Sequence, residues 1–270
     1  MKKVTALLLA LVMCLSLASC GGSKSADAQE APASAATDLQ NVQSKGTLVV
    51  GITDFEPMDY KDENGNWIGF DADLATAFAE SLGVSVEFAE INWDNKILEL
   101  DGGSIDCIWN GMTLTDEVTS AASCSNPYMR NAQVVVLPAD KAEEYADIES
   151  MADLTFAVES GSAGEEAVSE LGYATTPVTA QADALMEVAA GTSDAAVIDL
   201  LMAYAMVGEG TSYDNLTYTI TLNEEQYGVA FRKDSDLTAA LNDFFAAQYA
   251  DGSLDALAET YGLAGSVIPQ

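Results

Sequence analysis

Short apolar runs alternate with amphipathic stretches along most of this chain, and that alternation limits the folds open to it. Thr47-Leu-Val-Val-Gly-Ile52 is a short apolar run of the kind that makes a strand buried on both faces. Residues 71–82 read as a helix: Leu74, Ala77, Phe78 and Leu82 share one face, Asp71 is placed to cap the start and Gly83 to end it. Residues 84–88 alternate as a strand, 94–100 suit a second short helix, and 105–109 form another buried strand. The order β-α-β-α-β predicts an α/β fold with a mainly parallel sheet.

A second unit of the same kind follows. After a strand expected at 133–137, this unit starts at residue 154, with strands at 154–158 and 195–198 and helices at 164–171 and 181–190. A strand over 227–231 returns, and helices near 237–249 and 254–261 close the chain, with Asp236 and Ser253 suited to their N-caps. The pattern is two similar α/β lobes without a strict internal repeat. At 270 residues the chain is long enough for one or two domains, each with a real core.

Charge removes several functions. Acids number 43 and bases 10, a formal net charge of −33, which argues against binding nucleic acid or anionic membranes. The chain contains no histidine, so Ser-His-Asp and Cys-His nucleophiles and His-ligated metals are excluded. The many carboxylates lack metal-ligand spacing, and no metal or cofactor is expected.

The N-terminus reads as an export signal over residues 1–19. Lys2 and Lys3 precede an apolar stretch, too short to span a bilayer, that ends in Leu17-Ala18-Ser19-Cys20. This resembles a bacterial lipobox with Cys20 as the lipidated residue; the alternative is an ordinary signal cleaved at small residues. Residues 20–44 are expected to hold the lipidated Cys and a flexible tether, rich in Gly, Ser, Ala and Gln. The protein is therefore expected outside the cytoplasm, at a bacterial cell surface or in a periplasm, held to the membrane by lipid. Cys107 and Cys124 remain as an even pair in an oxidising compartment, open either to a disulfide or to two separate buried thiols.

Several segments together resemble the extracellular solute-binding proteins, family 3, of ABC importers that capture polar amino acids. They are Gly51-Ile-Thr-Asp-Phe-Glu-Pro-Met58, Trp67-Ile-Gly-Phe-Asp-Ala-Asp-Leu74, Trp93-Asp-Asn-Lys-Ile97 and the run from Ile105 through Asn110-Gly111-Met112-Thr113 to Glu117. Asn126-Pro-Tyr128, Asn131-Ala-Gln-Val-Val-Val136, Gly161-Ser-Ala-Gly-Glu165, Asp194-Ala-Ala-Val-Ile-Asp199 and Gly228-Val-Ala-Phe-Arg-Lys-Asp234 complete the series. The resemblance implies a two-lobe, periplasmic-binding-protein-like type II α/β fold with two crossovers and a ligand cleft between the lobes. Lobe one would comprise residues 45–135 plus 227–270, and lobe two 136–226. Hinge closure on a small molecule would present the protein, as a monomer, to an ABC permease. It would be a binding protein rather than an enzyme; dehydratases on the same fold are the alternative from another class, and they need cationic groups for two substrate carboxylates.

The resemblance also implies the site. Phe55 and Trp93 would be cleft aromatics that stack on the ligand, though both residue types equally suit a core. Asn110, Gly111 and Thr113 would approach the ligand from lobe one: Gly111 through its backbone, Thr113 through its hydroxyl, Asn110 reading the ligand side chain. These residues also suit a tight turn. Asp199 would pair with the ligand ammonium, and it also suits a helix N-cap. Ser162 and Ala163, at the start of a helix, would offer backbone N–H groups to a carboxylate. Where the family usually carries an arginine for that carboxylate, this chain has Val118. The ligand is then either a polar amino acid held by Ser162, Ala163 and Thr113 without arginine, or an amine or other cation lacking an α-carboxylate, paired with Asp199 and helped by Glu159 or Glu56.

Overall fold

The computed structural model describes residues 36–270; the export signal, Cys20 and the tether as far as residue 35 lie outside them. The stretch expected to remain a tether as far as residue 44 ends instead in a helix, α1 (Asp38–Lys45), capped by Thr37 and seated by Val42, which is fully buried. From α1 the chain runs through β1 (Thr47–Ile52), β2 (Tyr60–Lys61), β3 (Trp67–Ile68), α2 (Phe70–Ser81) and β4 (Ser85–Glu90). It continues through α3 (Lys96–Gly102), β5 (Cys107–Thr113), α4 (Asp116–Ala121), β6 (Ser123–Cys124) and β7 (Met129–Pro138). Then come β8 (Thr155–Glu159), α5 (Ala163–Leu171), β9 (Ala174–Val178), α6 (Gln181–Ala190) and β10 (Ala195–Asp199). It ends with α7 (Leu200–Met206), β11 (Leu216–Phe231), α8 (Leu237–Ala250) and α9 (Ser253–Thr260).

The strands lie in the order β4-β1-β5-β11-β7-β10-β8-β9, with β6 on a second edge of β11. At one end β4, β1 and β5 are parallel; at the other β10, β8 and β9 are parallel. Between them β7 and β11 pair antiparallel from Leu216↔Pro138 to Tyr227↔Met129, so the two crossovers run side by side as one ribbon. This is the two-lobe periplasmic-binding-protein-like fold. The strand expected at 227–231 is only the end of the 16-residue β11. Residues 216–222 do alternate in sequence, but a bulge between Tyr218 and Ile220 divides them: Leu216 and Tyr218 pack on the large core, and Ile220 and Leu222 on the second core.

The large core around the β4-β1-β5 end is aromatic. Trp109 meets Phe245 edge-on at 5.7 Å and Phe78 at 6.1 Å, and all three side chains are fully buried. Burying a phenylalanine of this kind is worth about 1.5–3 kcal/mol. A second core of Val135, Met151, Phe156, Val158 and Val168 fills the other end.

Two helix starts differ from expectation, and a third keeps its expected cap residue with another hydrogen-bond partner. Gly69 holds the cap of α2, and Asp71 lies inside the helix, fully buried. Gly252 caps α9, and Ser253 is its first residue. Asp236 occupies its cap position, but its carboxylate accepts the Leu39 amide at 2.9 Å and so ties α1 to α8. Of the two alternatives open for the cysteines, the structure has the separate thiols, Cys107 buried and Cys124 partly so. Cys107 pairs with Phe231 on one edge of β11 and Cys124 with Ala230 on the other. Two strand spacings, about 9–10 Å, exceed the roughly 7 Å limit between Cα atoms that a disulfide can bridge.

Candidate functional site

Strand ends build the site. A cavity of about 270 Å³ lies where the carboxyl ends of β1, β4, β5, β8 and β10 converge beside the crossover ribbon, the usual ligand position in an open α/β sheet. Phe55, Trp93, Asn110, Gly111, Thr113, Ser162, Ala163 and Asp199 all line it. Glu159 lines it as well, and Glu56 does not.

The aromatics serve cavity wall and core together. Phe55 packs edge-on against Tyr227 with centroids 6.4 Å apart and belongs to the large core, while Trp93 belongs to a smaller cluster with Leu100, Ile108 and Val118. Gly111 has φ +54°, and a Cβ there would stand 2.5 Å from the Phe55 ring, so a bare Cα is what lets the ring approach the chain this closely. Beneath it Asp71 accepts the Gly111 amide at 2.6 Å and the Tyr128 hydroxyl at 2.7 Å. Burial raises the Asp71 carboxyl to about 7.

Asn110 corrects an expectation. Its Oδ1 accepts from the Thr53 amide at 3.0 Å and the Thr53 hydroxyl at 2.8 Å; its Nδ2 donates to the Thr53 carbonyl at 3.0 Å and to Asp59 at 2.7 Å. That uses the full capacity of a carboxamide, so this side chain braces the loop and is not free to read a ligand.

Thr113 and Ser162 have opposite polarity. The Thr113 hydroxyl donates to Glu225 at 2.7 Å, which leaves its lone pairs for an incoming cation. The Ser162 hydroxyl accepts from the Glu165 amide at 3.1 Å as the N-cap of α5, which leaves its proton for an anion. The amides at this helix end are partly used, contrary to expectation: Gly161 N–H donates to the Glu165 side chain at 2.7 Å, and Ser162 N–H to the Glu159 carbonyl at 3.2 Å.

Asp199 holds the cap position of α7 without capping it. Its carboxylate accepts instead from Asn131, Gln133 (3.0 Å), Gln181 and Tyr227 (2.8 Å). Asn131 and Gln133 also donate to Glu225, at 2.7 and 2.9 Å, so two carboxylates share one set of donors. Burial and then the Glu225 charge push the Asp199 carboxyl well above the ordinary range. Glu159 is raised to about 8 by burial and then by Asp199, and its Oε1 is buried without a hydrogen-bond partner.

Five carboxylates line the cavity, Glu117, Glu159, Glu165, Glu166 and Asp199, against one base, Lys96. Arg130 donates to the Val267 carbonyl, and Arg232 reaches Asp38 and Asp106; neither lines the cavity. Lys96, Gln133, Gln181 and Glu225 were not singled out from sequence. The two on the crossovers gain their place only once β7 and β11 pair. Lys96 carried a signal, a charged residue one turn after Trp93.

Residues 48–264 match the bacterial extracellular solute-binding proteins, family 3, and the chain belongs to that family. It is 29% identical to the arginine-binding extracellular protein ArtP of Bacillus subtilis (strain 168), over 95% of this chain and 96% of that one. The holo structure of ArgBP from T. maritima superposes with a TM-score of 0.73 at 34% identity, covering 82% of this chain and 98% of that chain. Over a shorter stretch, 42% of each, the chain is 27% identical to a cyclohexadienyl dehydratase of Pseudomonas aeruginosa. Among the described residues no helix is long and apolar enough to cross a membrane.

Proposed function

We propose that this chain captures an amino acid outside the cytoplasm and delivers it to an ABC permease, held at the membrane by lipid on Cys20. Lobe one, residues 45–135 and 227–270, and lobe two, residues 136–226, close on the ligand about the crossover ribbon. Its ammonium pairs with Asp199 and the Thr113 lone pairs, its carboxylate takes the Ser162 hydroxyl and the Ala163 amide, and Phe55 and Trp93 enclose its side chain. The observation that carries this reading is the split in polarity, acceptors at Thr113 and Asp199 and a free donor at Ser162, which suits a zwitterion. An amine without a carboxylate satisfies only the first half. The surplus of carboxylates around the cavity, with the arginine-binding relatives, favours an amino acid whose side chain is also cationic.

A thermal-shift panel of the common amino acids beside simple amines tests the proposal. A ligand at 100 times its Kd adds about 2.7 kcal/mol of stability, well within detection. Stabilisation by amino acids, arginine foremost, is expected; stabilisation by amines alone would contradict it.

A further inference from the structure

Lys96 is a buried cation without a counter-ion. It lines the cavity at 7% exposure, and no carboxylate lies within 4.0 Å of its ammonium among the described residues. Its contacts are carbonyls, Gly161 at 2.7 Å across the cleft and Trp93 at 3.4 Å, with the Trp93 ring centroid 5.2 Å away. An ammonium has three donors, so at least one is left for a ligand. The charges of Glu117, Glu159, Asp94 and Glu165 reach it from beyond bonding distance, yet burial outweighs them and lowers its pKa. Its position does not serve the helix either: it is the first residue of α3, where the helix dipole disfavours a cation. A buried charge held in this way is stable only if an anion completes it. The neighbouring wall offers no cation, Val118 being apolar and Glu117 acidic, and the start of α5 opposite offers the free proton of Ser162.

We infer that Lys96 is the counter-ion of the ligand carboxylate and so the residue that makes the site select amino acids over the corresponding amines. The inference rests on the amino-acid reading above and adds a specificity-determining residue to it. By reaching Gly161 from the far side of the cleft, Lys96 also ties carboxylate recognition to closure.

The test compares L-arginine with agmatine, its decarboxylated form, by calorimetric titration of the folded protein and of Lys96→Met and Lys96→Arg. Circular dichroism confirms that each variant folds. Removing one charge-assisted contact is worth about ten- to a hundredfold in affinity. Lys96→Met is expected to weaken L-arginine by that factor and to leave agmatine within about threefold, while Lys96→Arg recovers most of the loss. Equal weakening of both ligands, or none for L-arginine, overturns the role of Lys96 and leaves the amino-acid reading standing. An unaltered protein that binds neither L-arginine nor any other amino acid overturns both.

Discussion

At the scale of single residues, function depends on groups whose charge the fold disfavours until a ligand arrives. Asp199 is 3% exposed, crowded by Glu225, and served by four side-chain donors. Asp199→Asn keeps the shape and removes the charge. Losing one partner of a buried charge pair costs about 2–5 kcal/mol, so affinity for a cationic amino acid is expected to fall by about 30-fold or more. Titration calorimetry checks the loss, and a melting curve of the unliganded variant, whose carboxamide offers the four donors only one acceptor oxygen, reports any accompanying cost in stability. The pH dependence follows from the same groups. Glu159, with an ordinary value of 4.5, is raised to about 8. Its folded form thus keeps a proton that the unfolded chain releases, and the associated stability is complete below about pH 4.5 and lost as pH rises towards 8. Asp71, raised to about 7, acts in the same direction. The melting temperature of the unliganded protein should therefore fall between pH 5 and pH 8. Affinity for a cationic ligand should rise over the same interval, because Glu159 and Asp199 must be ionised to receive it.

At the scale of elements, the strand ends and the strand of the first crossover were legible, and the first half of the second crossover was not. Phe55 and Trp93 follow β1 and β4, Thr113 and Asp199 end β5 and β10, and ligands gather at the carboxyl ends of such strands, so order along the chain was enough to nominate them. Asp71 misled because an Asp near a helix start suits a cap, and only the tertiary contact with Gly111 and Tyr128 shows its work. The first half of β11 was overlooked although it alternates, since Asn223-Glu-Glu-Gln226 interrupts the apolar pattern just before the site. Glu225 and Gln133 acquire meaning only from the register of that ribbon. The ribbon also decides the cysteine question. Cys107 is fully buried, and burial raises both thiols above their ordinary values. Both are expected as free thiols in the oxidised protein, Cys107 reacting with an alkylating reagent only after denaturation. Peptide mass spectrometry without reductant checks this, and a Cys107–Cys124 linked peptide would contradict it.

At the scale of the whole molecule, the two halves meet closely across the cavity. Gly161 has φ +73°, its absent Cβ would stand 2.8 Å from the Asp94 Cα, and its carbonyl takes the Lys96 ammonium. A side chain here is opposed by both backbone conformation and the facing lobe. Gly161→Ala is expected to favour the open form, giving a larger radius of gyration with ligand than the parent and affinity lower by about tenfold or more. Small-angle scattering with and without ligand reads the first effect. Capture as proposed requires a ligand lying along a polarised cleft. A crystal structure with the amino acid that stabilises the protein most tests it directly. The ammonium is expected against Asp199 and Thr113, and the carboxylate against Ser162, Ala163 and Lys96. A ligand bound in the reverse sense, or outside this cavity, would contradict the account.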